Sequence, residues 1–291
     1  MLFSLANSDG DDAIFVNRGS ILVFLSVLVS LSFGKAIETV SFGVILELRF
    51  PFKNGIFGAQ PAATLKVKSS SNLKSIFIAG ILLGIHFALF FQSIKMTKIA
   101  NATFLGTLAP LFTLLLESFL FKRKFNKFVI MGLLLSFCGA IIILSHNFDM
   151  SQKYTLGNFL AVLCSVCLAI SFIIAEKVRQ TENTIVYTRT LYLTAAITLL
   201  IIAVMTGSNL VNNTLSDYIG LLFLGLVPTI IGHNIIYYSV KFVSPTIVSS
   251  FPLGEPVIAT ILAFFIFRQD IGINIIVGGM ITLFGLLLII N

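Results

Sequence analysis

The sequence predicts an all-α membrane protein of ten transmembrane helices, built as two inverted five-helix repeats, and three observations predict it. Over 291 residues the chain is 57% hydrophobic and only 11% charged, with a mean hydropathy of +1.03, whereas a soluble domain carries roughly 25% charged residues. The apolar residues fall in ten continuous runs, each close to the ~20 residues that a bilayer-spanning helix needs. The chain also matches itself when displaced by 146 positions. A soluble globular enzyme is excluded by the first observation. An outer-membrane barrel is excluded by the second, because its strands alternate apolar and polar over about ten residues.

In chain order, residues 1–17 carry Asp9, Asp11 and Asp12 and no cation before Arg18. They are expected to be a short disordered cytoplasmic tail, since a cleavable signal peptide starts with positive charge. Five spans follow at 18–37, 41–63, 74–94, 99–121 and 127–145, and five more at 156–175, 184–206, 217–239, 245–267 and 271–290. The repeats are therefore placed at 18–145 and 156–291. With the N-terminus inside, 14 of the 19 Lys and Arg fall on the inner side and 5 on the outer, or 12 against 5 without Arg49 and Arg189, which lie within helices. The positive-inside rule then puts both termini in the cytoplasm, and the membrane expected is a bacterial-type inner (plasma) membrane. The net charge of +7 comes from cations scattered between apolar runs, not from the stripe that a nucleic-acid binder presents, so no nucleic acid is expected. Cys138, Cys164 and Cys167 all sit in apolar runs and form no disulfide framework.

The repeat is visible residue by residue. At an offset of 146, Ser93 meets Ser239, Lys95 meets Lys241, Pro110 meets Pro256, Phe121 meets Phe267, Gly132 meets Gly278 and Gly139 meets Gly285. Earlier in each half the offset shrinks to 138, where Gly19 meets Gly157 and Glu38 meets Glu176, and to 140, where Arg49 meets Arg189. Five is an odd number, so the second copy lies upside down in the membrane relative to the first. That geometry gives outward-open and inward-open states of similar energy.

Gly157-Asn158-Phe159-Leu160-Ala161-Val162-Leu163, Gly225-Leu226-Val227-Pro228-Thr229-Ile230-Ile231-Gly232-His233 and Gly254-Glu255-Pro256-Val257-Ile258-Ala259-Thr260-Ile261-Leu262 resemble the EamA-type members of the drug/metabolite transporter superfamily. The duplicated five-span unit matches as well. The family usually has an acidic residue closing spans four and nine, where this chain has Lys122-Arg123 and Gln269-Asp270, and often Trp in the first and sixth spans, near Phe33 and Leu168. The resemblance implies alternating-access transport of a small polar or amphipathic metabolite, usually export, driven by an ion gradient or by the substrate's own gradient. Uptake or exchange by the same fold is the alternative, and a non-transporting scaffold or channel is the reading from another class. The partners expected are the substrate, membrane lipid and protons or another coupling ion, with a homodimer left open; no cofactor or metal is implied.

Ionisable groups at membrane depth cost about 2.5–3.5 kcal/mol each on insertion scales, so they mark interior, functional positions; here they are Glu38, Glu47, Arg49, Lys53, His86, Glu117, Arg189, His233 and Glu255. Glu255 lies about ten residues into span nine, beside Pro256 and one turn after Pro252, and prolines free backbone carbonyls that can bind ligand. It reads either as a protonatable or cation-binding carboxylate or as a buried partner for Arg189 or another cation. Arg49 and Arg189 read either as forks for a carboxylate or phosphate or as snorkelling, orienting residues. His86 and His233 are one position from exact repeat equivalence and titrate near neutrality in water, against the plainer role of satisfied structural groups. Gln92, Asn101, Asn234, Tyr237 and Tyr238 add hydrogen-bonding capacity, and Pro110, Pro252 and Pro256 break helices. Lys122, Arg123, Lys124 and Lys127 read as an orientation cluster meeting lipid headgroups. No His-Glu-x-x-His occurs and all six Asp lie in the tail or at span ends, so an intramembrane protease lacks its catalytic groups. Cys164-x-x-Cys167 and Gly80-x-x-x-Gly84 read as packing positions.

Overall fold

Four helices begin where a polar side chain stands in for the missing carbonyl partner of the first turn. The computed structural model describes residues 67–145, 149–207, 232–258, 261, 265 and 272–290. Its helices are α1 (Ser70–Met96), α2 (Ile99–Gly106), α3 (Ala109–Leu120), α4 (Lys127–Leu144), α5 (Thr155–Arg179), α6 (Thr184–Met205), α7 (Asn234–Ser239), α8 (Pro245–Ser250) and α9 (Ile273–Ile290), and no strand occurs among the described residues. Ser69, Asn126, Asn183 and Ser244 accept from the backbone N–H of Ser71, Phe128, Ile185 and Ile247 at 3.2, 3.3, 2.9 and 3.4 Å. Each such cap is worth about 1 kcal/mol.

Among the described residues, six helical segments are long and apolar enough to cross a membrane: Ser70–Met96, Ile99–Leu120, Lys127–Leu144, Gln152–Arg179, Thr184–Met205 and Ile273–Ile290. They coincide with spans three to seven and ten as expected from the sequence. Spans one and two, with Arg49, lie outside the described residues, as do most of span eight and part of span nine. Large apolar side chains face outward, including Phe119 at 80% exposure and Met205 at 81%. Such a surface is what lipid, not water, covers.

Span four is broken between α2 and α3. Pro110 sits in the first turn of α3, where its missing N–H is harmless to α3 but stops the ladder of α2. Span nine breaks too: α8 gives way to a 3₁₀ turn over Phe251–Gly254 that contains Pro252. Displaced by 146 positions, 251–254 is 105–108, so the two interruptions occupy repeat-equivalent places.

Small residues set the closest helix contacts. A Cβ on Gly80 would lie 2.6 Å from Thr194 Cβ, and one on Gly84 would lie 2.8 Å from Thr198 Cβ, so both glycines of Gly80-x-x-x-Gly84 let α1 lie against α6. The crossing of α4 with α9 is reciprocal. Gly132 approaches the Gly285 carbonyl at 2.5 Å and Gly139 approaches the Gly278 carbonyl at 2.5 Å, measured from ideal Cβ positions. Gly278 and Gly285 are the repeat equivalents of Gly132 and Gly139, so each residue touches the counterpart of the other, the pattern of an isologous two-fold contact. Midway, the Ser136 hydroxyl donates to the Thr282 carbonyl at 3.3 Å across exactly one repeat offset.

Connections gather alternately at two ends. At one, Asn72 donates to Glu182 at 2.7 Å, Arg123 to Glu176 at 2.8 Å, Gln180 to the Lys241 carbonyl at 3.2 Å, and the Thr246 N–H to Glu117 at 2.9 Å. At the other, Thr97 donates to Asn158 at 2.6 Å and Asp149 N–H to Asn101 at 3.0 Å. We refer to these as the 124 end and the 149 end. Two apolar cores lie between them, one around Leu83, Phe172 and Leu191, the other around Leu133, Phe137 and Leu286.

Candidate functional site

Histidine from each half of the chain reaches one cluster. His86, on α1, donates from Nδ1 to the Cys164 carbonyl at 2.9 Å. A carbonyl only accepts, so the proton is fixed on Nδ1 and Nε2 is left as an acceptor. The Phe87 ring lies 5.2 Å from His86 and 5.8 Å from His233, and His233 lies 6.3 Å from Tyr237. Tyr237 is fully buried against Phe172, Tyr187 and Tyr192, with ring separations of 5.7, 5.4 and 6.4 Å. The Tyr192 hydroxyl donates to Asn234 Oδ1 at 3.2 Å. Three further polar atoms here, Tyr187 Oη, His233 Nδ1 and Tyr237 Oη, are buried with no hydrogen-bond partner among the described residues; Ser171, whose side chain lies beside the Tyr237 hydroxyl, gives its own proton to the Ala79 carbonyl at 3.3 Å. Leaving a buried donor or acceptor unmade costs about 1–3 kcal/mol, so three at one place mark a site with unused binding capacity.

Of the residues singled out in the sequence, His86, His233, Asn234 and Tyr237 come together here. Tyr238 is half-buried and stacks 5.1 Å from Phe242. Gln92 is exposed near the other end of α1, its amide directed at Met96 Sδ at 3.4 Å. Arg189 is exposed on α6. Glu255 and Pro256 are half-buried after the 3₁₀ turn, which packs against α4 and α9. Asn101 is fully buried but spends its amide on the 149 end, where it donates to Asn158 at 3.0 Å, to Thr97 at 3.2 Å and to the Asp149 carbonyl. Cys164 and Cys167 are free and buried, and no group of three or more His, Cys, Asp or Glu among the described residues could hold a metal ion.

The polar network at the 124 end was not evident from sequence spacing. Glu117, fully buried on α3, bonds to Arg123 and accepts from both the N–H and the hydroxyl of Thr246. Arg123 also bonds Glu176 of α5 at 2.8 Å. Arg123 therefore turns inward, away from the headgroup role read for its cluster. The cause is local: Lys122 adopts a left-handed conformation with φ 50°, and the Arg123 N–H closes onto the Glu117 carbonyl at 3.2 Å. Desolvation works against the charge on Arg123, but the Glu176 hydrogen bond and the two carboxylates outweigh it and raise its pKa above the usual arginine value. Arg179 is likewise buried, at 2% exposure, and donates to the Tyr237 carbonyl at 3.0 Å, to the Glu182 carbonyl and to Thr184. A cleft of about 270 Å³ opens beside Arg123, Glu176, Val240 and Ser244. The available signal was Glu117 itself, an acidic residue inside an apolar run six positions before an arginine.

The EamA-like transporter family model matches residues 18–145 and 155–291. A Clostridium kluyveri protein named as an uncharacterized transporter is 25% identical over 76% of this chain and 73% of its own length. The uncharacterized transporter YxxF of Bacillus subtilis is 24% identical over 73% of this chain and 70% of its own, and an uncharacterized transporter of Archaeoglobus fulgidus is 24% identical over 69% and 70%. A solved crystal structure that shares 17% identity covers 94% of both chains with a TM-score of 0.65, a likeness of fold. With apolar helices of spanning length and a family match over most of its residues, the chain is a membrane transporter and belongs to the EamA-like transporter family.

Proposed function

We propose that the chain is a ten-span secondary transporter that moves a small polar or amphipathic metabolite by alternating access between two inverted repeats, 18–145 and 156–291, and that it works as an exporter in a bacterial-type inner membrane with both termini in the cytoplasm. The observation that carries this reading is the gathering of His86 and His233, near-equivalent residues of the two halves, around Phe87 in one cluster whose Tyr187, Tyr237 and His233 polar atoms are buried without a partner among the described residues. A ligand's donors and acceptors would recover the cost of those groups. The reciprocal glycine contacts of α4 with α9 and the matched interruptions of spans four and nine favour a pseudo-two-fold relation between the repeats.

The test is a thermal-shift screen of the purified protein against metabolites, followed by counterflow of each hit in vesicles. A ligand of the folded state raises the melting temperature by mass action. Tyr187→Phe is expected to leave the melting temperature equal or higher, because a hydroxyl without a partner is removed, and to reduce the ligand-induced shift. A Tyr187→Phe protein with the full shift removes this cluster from the site. Counterflow directed only inward would replace export by uptake, and absence of any saturable ligand would favour a scaffold. For coupling we assign the proton or cation to Glu255: Glu255→Gln keeps ligand binding and abolishes pH-driven transport, and retention of that transport refutes the assignment. Reporter fusions at Lys68, Lys124 and Arg179 are expected to report cytoplasm and fusions at Asp149 and Asn212 the opposite side. A cytoplasmic signal from Asn212 would break the span count.

A further inference from the structure

The network at the 124 end is divided by the boundary between the halves. Glu117 and Arg123 both belong to the first half, and their bond is internal to it. The bonds that leave this pair, Arg123 to Glu176 and Glu117 to Thr246, both cross to the second half. We propose that Glu117 and Arg123 form a charge-neutral gate unit carried by the first half, which closes the 124 end by bonding Glu176 and Thr246 and releases both when that end opens. The proposal rests on the alternating-access reading above.

Charge, taken together with exposure, decides which bonds can break. The Glu117 side chain is 0% exposed, whereas Arg123 is 35% and Glu176 16% exposed. Parting Glu117 from Arg123 would leave a buried carboxylate with no countercharge, which is the costly way to break a buried pair. Parting Arg123 from Glu176 leaves both groups where water already reaches them, beside the cleft of about 270 Å³. Parting Thr246 from Glu117 separates no opposite charges: it frees a buried N–H and hydroxyl at the start of α8, where the Ser244 cap remains, and takes two hydrogen bonds from a carboxylate that Arg123 still neutralises. The weak seam therefore runs between the halves, and the ion pair that travels with the first half stays neutral throughout. The left-handed Lys122 keeps that pair together, because it folds Arg123 back over the end of α3.

The experiment measures distances between nitroxides by pulsed electron resonance in a Cys138→Ser background, since Cys164 and Cys167 are buried. Labels at Lys124 and Lys177, both exposed, report the 124 end, and labels at Lys95 and Lys153, also exposed, report the 149 end. Glu176→Gln is expected to raise the long-distance population of the first pair about tenfold, the scale of one lost charge-assisted hydrogen bond. Thr246→Val, which keeps the N–H bond and removes only the hydroxyl, gives a smaller rise. A lower melting temperature with one unchanged distance in both variants overturns the gate and leaves a staple. If the 124 end opens in either variant while the 149 end lengthens as well, the gate stands and alternating access fails. If the 149 end shortens or holds as the 124 end opens, both stand.

Discussion

Gly139→Ala tests how tightly α4 and α9 are held together. An ideal Cβ at 139 falls 2.5 Å from the Gly278 carbonyl oxygen and 2.6 Å from the Thr282 nitrogen, and closer still to Thr282 Oγ1. Two of these three atoms are backbone and cannot rotate away. Ordinary contact starts at 3.4 Å, so the helices must part by about 1 Å at this point. Overpacking of this kind costs about 1–3 kcal/mol, and a gap of 0.5–1 Å elsewhere along the crossing forfeits a quarter to a half of the dispersion there. Alanine recovers up to about 1 kcal/mol as a better helix former. The net expectation is a loss of about 2 kcal/mol, read as a fall of about 4–8 °C in the melting temperature of the detergent-purified protein. Gly272→Ala, where nothing among the described residues lies within 4 Å of the new Cβ, is the control and should fall by much less. Because Gly278 meets the Gly139 carbonyl in the same contact, Gly139→Ala with Gly278→Ala should cost less than the sum by about 0.5 kcal/mol or more. A wild-type melting temperature for Gly139→Ala, or strict additivity of the pair, would refute the reciprocal close crossing.

Three other outcomes are expected. Lys122→Gly should stabilise by about 1 kcal/mol, since a left-handed backbone at φ 50° carries a cost for any L side chain that glycine escapes; Lys122→Ala should not stabilise, and equal melting curves for the glycine and alanine variants would count against it. Asn101→Ala should lose about 2 kcal/mol in a thermal melt, because the Asp149 N–H and Thr97 lose a buried partner, and a neutral result would mean that the 149 end does not depend on this amide. Asp149 is held below the usual carboxylate range by the Ser151 N–H, with help from the Ser151 side chain and Lys98. Its folded value is lower than its unfolded one, so its contribution is complete at neutral pH and is lost only as pH falls below about 3.8 toward that lower value. Melting curves from pH 7 to 3 should show an acid-side decline that is reduced in Asp149→Asn.

The apolar runs foretold the described spans to within a few residues because a lipid-crossing helix must be long, continuous and uncharged, and each condition is visible in one dimension. The near-equivalence of His86 and His233 was visible as an offset, and the Phe87 contact gives it spatial meaning. Arg123 and Arg179 were harder. Each lies next to a span end among other cations, where composition reads as a vote on orientation. Their actual partners, Glu117 with Glu176 and the Tyr237 carbonyl with Thr184, depend on which helices are neighbours and on a left-handed turn at Lys122 that lysine does not announce. Asn101 shows the same limit: one buried amide serves ligand or loop equally well on paper, and only the packing of α2 beside α5 decides for the loop. Arg49 lies outside the described residues.

Ser136 and Thr282 occupy the same place in the two halves and touch each other at 3.3 Å. A residue on a two-fold axis faces its own kind, so in any ancestor made of two separate, identical halves a single codon there would have written both sides of the contact. Only a side chain compatible with itself is admissible under that condition, and a hydroxyl, able to donate and accept, qualifies where a charge or a bulky ring would not. Joining the halves in one gene frees the two positions to vary independently. They have parted by a single methyl group: threonine sends its own hydroxyl back to the Gly278 carbonyl at 2.9 Å, while serine keeps the bond across the seam.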